Sequence, residues 1–133
     1  MNTLTITALY ASLLALLFIW LSMQTIKVRQ KTKVALGDGG DQKLLRMMRC
    51  HANFSEYVPI TIILMGLAET NGAYSIILHA AGLSLLIGRI LHAYGVSQLD
   101  ENINIRVSGM IITFSVIATL ALTNIATVIS HSF

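Results

Sequence analysis

Long apolar runs separated by short polar breaks set the pattern of this chain. The first run extends from about Leu4 to Arg29, with no charged side chain before Lys27. Its basic residues follow the apolar stretch, the reverse of a secretory signal, so it reads as a retained helix. Residues 27–49 then gather Lys27, Arg29, Lys31, Lys33, Lys43, Arg46 and Arg49 around Gly37-Asp38-Gly39-Gly40, a flexible break. A second helix is predicted over about residues 41–68, long enough for its first turns to project into lipid headgroups, with a kink at Pro59. Glu69-Thr70-Asn71-Gly72 is a turn, a third helix follows over about 73–96, residues 97–104 form a loop, and a fourth helix occupies about 104–130. No tandem repeat or linker interrupts this order, so residues 1–133 read as one domain.

Small residues recur every four positions at Ala80, Ser84 and Gly88 on the third helix and at Ser115, Thr119, Thr123 and Thr127 on the fourth. At that spacing they let helix backbones approach closely in lipid. The first of these ridges continues into His92.

Composition turns four helices into four membrane spans. With 55% hydrophobic and 11% charged residues, the chain falls far below the roughly 25% charged content of soluble domains. Its length leaves room for about four spans of roughly 20 residues and no separate soluble domain. The predicted class is therefore all-α, an integral membrane four-helix bundle. All nine Lys and Arg lie in or beside the first and third loops; the excess of basic residues on one side makes that side cytoplasmic and places both termini outside. The single Cys50 forms no intrachain disulfide and reads as a small buried residue. His51 and His79 have no second ligand at metal spacing, so no metal site is expected. No phosphate loop, nucleophile elbow or nucleic-acid module is present.

The second helix nevertheless carries ionisable residues into the membrane. Arg46, Arg49, Asn53 and Glu56 follow an i, i+3, i+7, i+10 spacing and share a helix face roughly 80° wide. Glu56 falls about 10 Å inside the hydrocarbon on the cytoplasmic side. An unpaired carboxylate there is costly, so a partner is expected in Arg49, in Arg89 near the end of the third helix, or in Arg106 at the start of the fourth. The result is a cationic pocket containing one carboxylate and one amide, suited to an amino-acid-like or peptide-like anion. The same residues serve equally well as a clasp between helices with no ligand. Arg46 and the basic loop read as topology signals or contacts to anionic lipids.

The run Arg49-Cys50-His51-Ala52-Asn53-Phe54-Ser55-Glu56-Tyr57-Val58-Pro59 resembles the R-x-x-x-N-x-x-E-x-x-P signature of the MAPEG superfamily, the membrane-associated proteins in eicosanoid and glutathione metabolism. Gly88-Arg89-Ile90-Leu91-His92 is similar to the G-R-x-x-H segment of that family's third helix, and Arg106 stands where members often open the fourth with Arg. The compact loop with Val34-Ala35-Leu36-Gly37-Asp38-Gly39-Gly40 is similar to the short bacterial members, which implies a bacterial inner membrane.

The resemblance implies a homotrimer of four-helix subunits that binds glutathione as co-substrate between adjacent subunits, toward the cytoplasmic side. Carried over by position, Arg49, Asn53, Glu56, Arg89 and His92 hold the tripeptide, with Lys27 or Arg29 supplying a further cation. Arg106 sits nearest the thiol, with Ser108 as the neighbouring hydroxyl. Characterised members place a Tyr about two turns after the third-helix Arg; this chain has Val96 there, and Tyr94 points about 160° away. The activity implied is a membrane-bound transferase or peroxidase acting on lipophilic electrophiles or hydroperoxides through an Arg-stabilised thiolate. The alternative is a non-enzymatic trimeric membrane protein whose Arg/Asn/Glu cluster is a subunit clasp or an anionic-lipid site. The partners implied are further copies of the chain, membrane lipids and a lipophilic small molecule, with no nucleic acid.

Overall fold

The computed structural model describes residues 4–132 as four helices, α1 (Thr5–Thr32), α2 (Gln42–Thr70), α3 (Ser75–Ser97) and α4 (Ile103–Ser132). Each boundary lies within a few residues of the break in the hydrophobic pattern. Asp41 caps α2 through an Oδ1 that accepts from the Leu44 amide at 2.7 Å. Lys33 ends α1 in the left-handed conformation with φ of 57°, and Gly37, Gly39 and Gly40 continue with positive φ, a backbone that glycine adopts without steric cost. The helix α2 runs through Pro59 as a single element.

Short loops make sequential neighbours antiparallel. Side-chain bonds fix the register: Cys50 Sγ donates to the Ala93 carbonyl, Arg46 donates to the Val96 carbonyl, and Asn124 Nδ2 donates to the Leu64 carbonyl. The helix α2 contacts the other three, whereas α1 and α4 do not meet among the described residues. Leu14, Leu44, Met65, Leu78, Leu85 and Leu120 fill the core. The outer surface is apolar as well, with Leu16, Ile19, Ile76, Ile111, Leu122 and Ile125 all more than half exposed. Three helices, α1, α3 and the 103–130 stretch of α4, are long and apolar enough to cross a membrane. An apolar exterior of this kind calls for lipid, or other protein, against it. The charged α2 is not among the three, although it packs against all the other helices.

The closest approach of α3 and α4 lies at Gly88, Gly95 and Gly109. Of the small-residue ridges, Gly88 stands in this contact, Ser115 and Thr119 face Ala80 and Ser84 across an open groove, and Thr123 and Thr127 bond their own helix at the carbonyls of Thr119 and Thr123. Hydroxyls satisfied within their own helix have no need of a partner helix.

At the opposite end from the basic loops, Glu69 near the end of α2 accepts from the amides of Ile6 and Thr7 at 2.8 and 2.7 Å. It thereby caps α1, whose own N-cap residue makes no side-chain cap bond. Losing such a cap costs about 1–2 kcal/mol. Glu69→Ala is therefore expected to lower the thermal midpoint in detergent and to speed hydrogen exchange at Ile6 and Thr7 while leaving α3 protected; unchanged exchange at those two amides would refute the cap.

Candidate functional site

At the loop end of the bundle, α2, α3, the 98–102 loop and the start of α4 enclose a cavity of about 220 Å³. From α2 come Gln42, Arg46, Arg49 and Asn53, whose spacing places them on one face. His92 and Val96 face them from α3, one turn apart, and Glu101 and Arg106 close the end. Glu101 organises this arrangement. Its Oε2 accepts from Arg46 Nη1 and its Oε1 from Arg106 Nη1, both at 2.8 Å, so one carboxylate ties α2 to α4. Arg46 Nη1 also donates to the Val96 carbonyl at 3.1 Å, and His92 Nδ1 lies 3.2 Å from the Arg106 carbonyl.

The guanidinium of Arg106, and after it that of Arg46, holds the Glu101 carboxyl below the usual carboxylate range. A depressed folded-state pKa means that the pairing contributes its stability above the unfolded value of about 4.3 and loses it as pH falls through the folded value. Thermal stability is thus expected to be flat from pH 7 to about 5 and to fall on further acidification. Glu101→Gln should lower the neutral plateau and flatten that acid limb; an acid limb identical to that of the unaltered protein would exclude the double ion pair.

Four residues marked by the sequence meet in this cavity: Arg49, Asn53, His92 and Arg106. Arg49 is exposed and makes no ion pair among the described residues. Asn53 Oδ1 is buried and has no hydrogen-bond partner among the described residues. The cavity therefore offers an uncommitted cation beside an unmet acceptor. Arg106 keeps a half-exposed side chain, with Nη1 committed to Glu101.

Other expected residues stand elsewhere. Glu56 is exposed and pairs with none of Arg49, Arg89 or Arg106 among the described residues, because it lies on the outward side of α2. Arg89 is only 1% exposed and lies beneath the cavity instead of lining it. Its Nη2 approaches Met110 Sδ at 3.9 Å, while Nε and Nη1 have no partner among the described residues. The α2–α3 register puts Asn53 and Arg89 at about the same level, so two unmet polar groups lie at one depth of the bundle. Ser108 is exposed and donates to the Asn104 carbonyl at 2.7 Å, one turn back on its own helix, which turns it out of the cavity. Tyr94 lines a different groove, as its angular offset from Val96 requires.

Lys27 is exposed on α1, a helix that does not reach this cavity. Arg29 is held by the first loop, donating to the carbonyls of Val34 and Gly37 at 3.1 and 3.0 Å and approaching Met48 Sδ at 3.3 Å. Arg46, expected at the lipid or loop surface, is instead part of the cavity wall. Glu101 carried no sequence signal beyond being an acid close to Arg106. Cys50 is buried, as its small apolar character suggested. His51 and His79 each meet one hydroxyl from α1, Ser22 Oγ at 3.0 Å and Tyr10 OH at 3.2 Å.

Comparison with known proteins bears on these residues. A family model described as the MAPEG family matches residues 7–126. The Inner membrane protein YecN of Escherichia coli (strain K12) is 39% identical over 120 residues, covering 90% of either chain. The protein of the same name from Escherichia coli O6:H1 (strain CFT073) matches to the same extent. Every cavity-lining residue described above falls inside the matched span.

Proposed function

The chain belongs to the MAPEG family, the membrane proteins of glutathione and eicosanoid metabolism, and from that premise we propose that the cavity binds glutathione and activates its thiol toward lipophilic electrophiles or hydroperoxides. The observation that carries this reading is the pairing of Arg49, a cation without an ion pair, with Asn53 Oδ1, a buried acceptor without a donor. Glutathione supplies both complements: carboxylates for the guanidinium fork, and an ammonium and amide N–H groups for the acceptor. His92 and Gln42 add polar wall on either side.

In this reading Arg106 faces the thiol. Glutathione's thiol has an unperturbed pKa of about 8.5, and a guanidinium nearby favours the thiolate. The thiolate sulfur then forms a bond to an electrophilic carbon, and the displaced group leaves with the electron pair, or a conjugated acceptor takes it up with a proton. With a hydroperoxide, sulfur attacks the terminal oxygen and the O–O bond breaks to release the alcohol. A second glutathione thiol then displaces water to give the disulfide. The cavity in one chain is open and small, and a trimer with glutathione between adjacent copies would close it, with Lys27 of a neighbouring copy as the further cation. The basic end then faces the cytoplasm and both termini lie on the other side.

A second reading has its own support. Both ion pairs formed by cavity arginines converge on Glu101, the arrangement expected of a structural clasp in a protein that binds nothing there. Calorimetry of the full chain in detergent, with an ultraviolet difference spectrum for thiolate at neutral pH, separates the two. Glutathione binding is expected with a thiolate absorbance that Arg106→Ala diminishes. Absence of binding at millimolar glutathione in folded protein would reject the enzyme reading and leave the clasp.

A further inference from the structure

On the other flank of the α2–α3 pair, the loop-side portions of α1, α2 and α3 enclose a larger groove of about 470 Å³, within the range of roughly 300–1,000 Å³ typical of small-molecule sites. It shares no lining residue with the Arg49 cavity. Its character changes along its length. Lys43 at the start of α2 and Ser97 and Gln98 at the end of α3 line the loop end, whereas Leu17, Leu21 and Ile90 line the part deeper in the bundle. Trp20 and Tyr94 line it while remaining 54% and 55% exposed, so the groove is open sideways where lipid lies.

The charge that lines the groove itself is one-sided, whereas Asp38, Asp41 and Asp100 stand outside its lining at the same end of the bundle. No Asp or Glu lines the groove, and Lys43 makes no ion pair among the described residues. Lys27, Lys31 and Lys33 are exposed at the same end of the bundle. A free inorganic anion would satisfy Lys43 and leave the apolar part of the groove uncovered. An uncharged lipid would cover that part and leave Lys43 without a counter-charge. A zwitterionic headgroup would bring its own cation to a surface already crowded with lysines. The occupant that meets both halves is an amphiphile with a net negative headgroup.

We propose that this groove is a binding site for an anionic glycerophospholipid, which lays one acyl chain along Leu17, Leu21 and Ile90 and sets its phosphate against Lys43. Gln98 Nε2 gives one hydrogen to Ser97 Oγ, whose own proton goes to the Tyr94 carbonyl, and keeps its second for the same headgroup. The site is independent of glutathione binding and lies within a single chain.

Trp20 is the only tryptophan in the sequence, so it reports on the groove directly. The full chain is reconstituted in phosphatidylcholine vesicles containing increasing mole fractions of either phosphatidylglycerol or phosphatidylcholine with brominated acyl chains, and quenching of Trp20 is measured. Half-maximal quenching is expected at about fivefold lower mole fraction for the brominated phosphatidylglycerol. Lys43→Gln should abolish that preference, and Lys43→Arg and Lys31→Gln should retain it. Equal quenching by the two lipids would overturn the proposal. So would an equal loss in Lys31→Gln and Lys43→Gln, because the preference would then belong to the basic surface as a whole and not to the groove.

Discussion

Gly109→Val is expected to deprive the chain of a stable bundle. A Cβ at Gly109 would sit 2.6 Å from the Gly88 carbonyl oxygen, 2.6 Å from the His92 nitrogen and 2.8 Å from His92 Cβ. Two of these are backbone atoms of a packed helix and the third is a Cβ fixed to that backbone, so none can turn aside as the end of a side chain would. The contact is reciprocal, since a Cβ at Gly88 would meet the Gly109 carbonyl at 3.1 Å and one at Gly95 would meet the Arg106 nitrogen at 2.7 Å. Forcing valine into such a contact costs about 3 kcal/mol or more. It also pushes the start of α4 away from α3, which would separate Arg106 from the cavity that His92 lines. Gly66→Ala is the natural control. Its Cβ would find Leu4 Cδ2 at 3.7 Å and Thr7 Cγ2 at 3.8 Å, ordinary contacts, and alanine is the better helix former by about 1 kcal/mol. Thermal unfolding in detergent, followed by circular dichroism, should show a large loss for Gly109→Val and little change or a gain for Gly66→Ala. A Gly109→Val midpoint within a few degrees of the unaltered protein would mean that α3 and α4 do not pack through these glycines.

Arg49→Ala is expected to weaken glutathione binding by about 10- to 100-fold, the worth of a charge-assisted hydrogen bond to a carboxylate. Its effect on stability should be small, because Arg49 is exposed and bonded to no carboxylate among the described residues. That combination distinguishes it from Glu101→Gln, which breaks two ion pairs and should affect stability first. Ser108→Ala, at a hydroxyl turned away from the cavity and bonded to Asn104, should leave binding unchanged. Calorimetric titration of the three variants tests the set. An Arg49→Ala protein that binds glutathione as tightly as the unaltered chain, or one that falls apart instead, would move the cluster from ligand binding to architecture.

These two expectations draw on different depths of information. The spacing of Arg49 and Asn53 on one helix face, and the Gly88-Arg89-Ile90-Leu91-His92 segment, were readable directly, because a helix fixes which of its own residues share a side. The small-residue ridge pointed to Gly88 but not to Gly109 or Gly95 as its counterparts. Which residues two helices present at their closest approach depends on their rotation and offset, and neither is local. Glu56 shows the same limit from the other direction: its helix face suggested a partner among three arginines, and the fold leaves it on the outer side of α2.

By itself the sequence determined the four helices, their order, the membrane as their surroundings and the family, because these follow from runs of apolar residues, breaks of glycine and polar residues, and a motif contained in single helices. The tertiary structure alone decided that Glu101 holds both Arg46 and Arg106, that Glu69 caps a helix 63 residues earlier, that Arg29 is held by its own loop, and that Arg89 is buried with no anion beside it among the described residues. Each of these is a meeting of side chains from distant positions or from an irregular loop. The partner of a charge is set by distance in space, which periodicity along one helix does not encode.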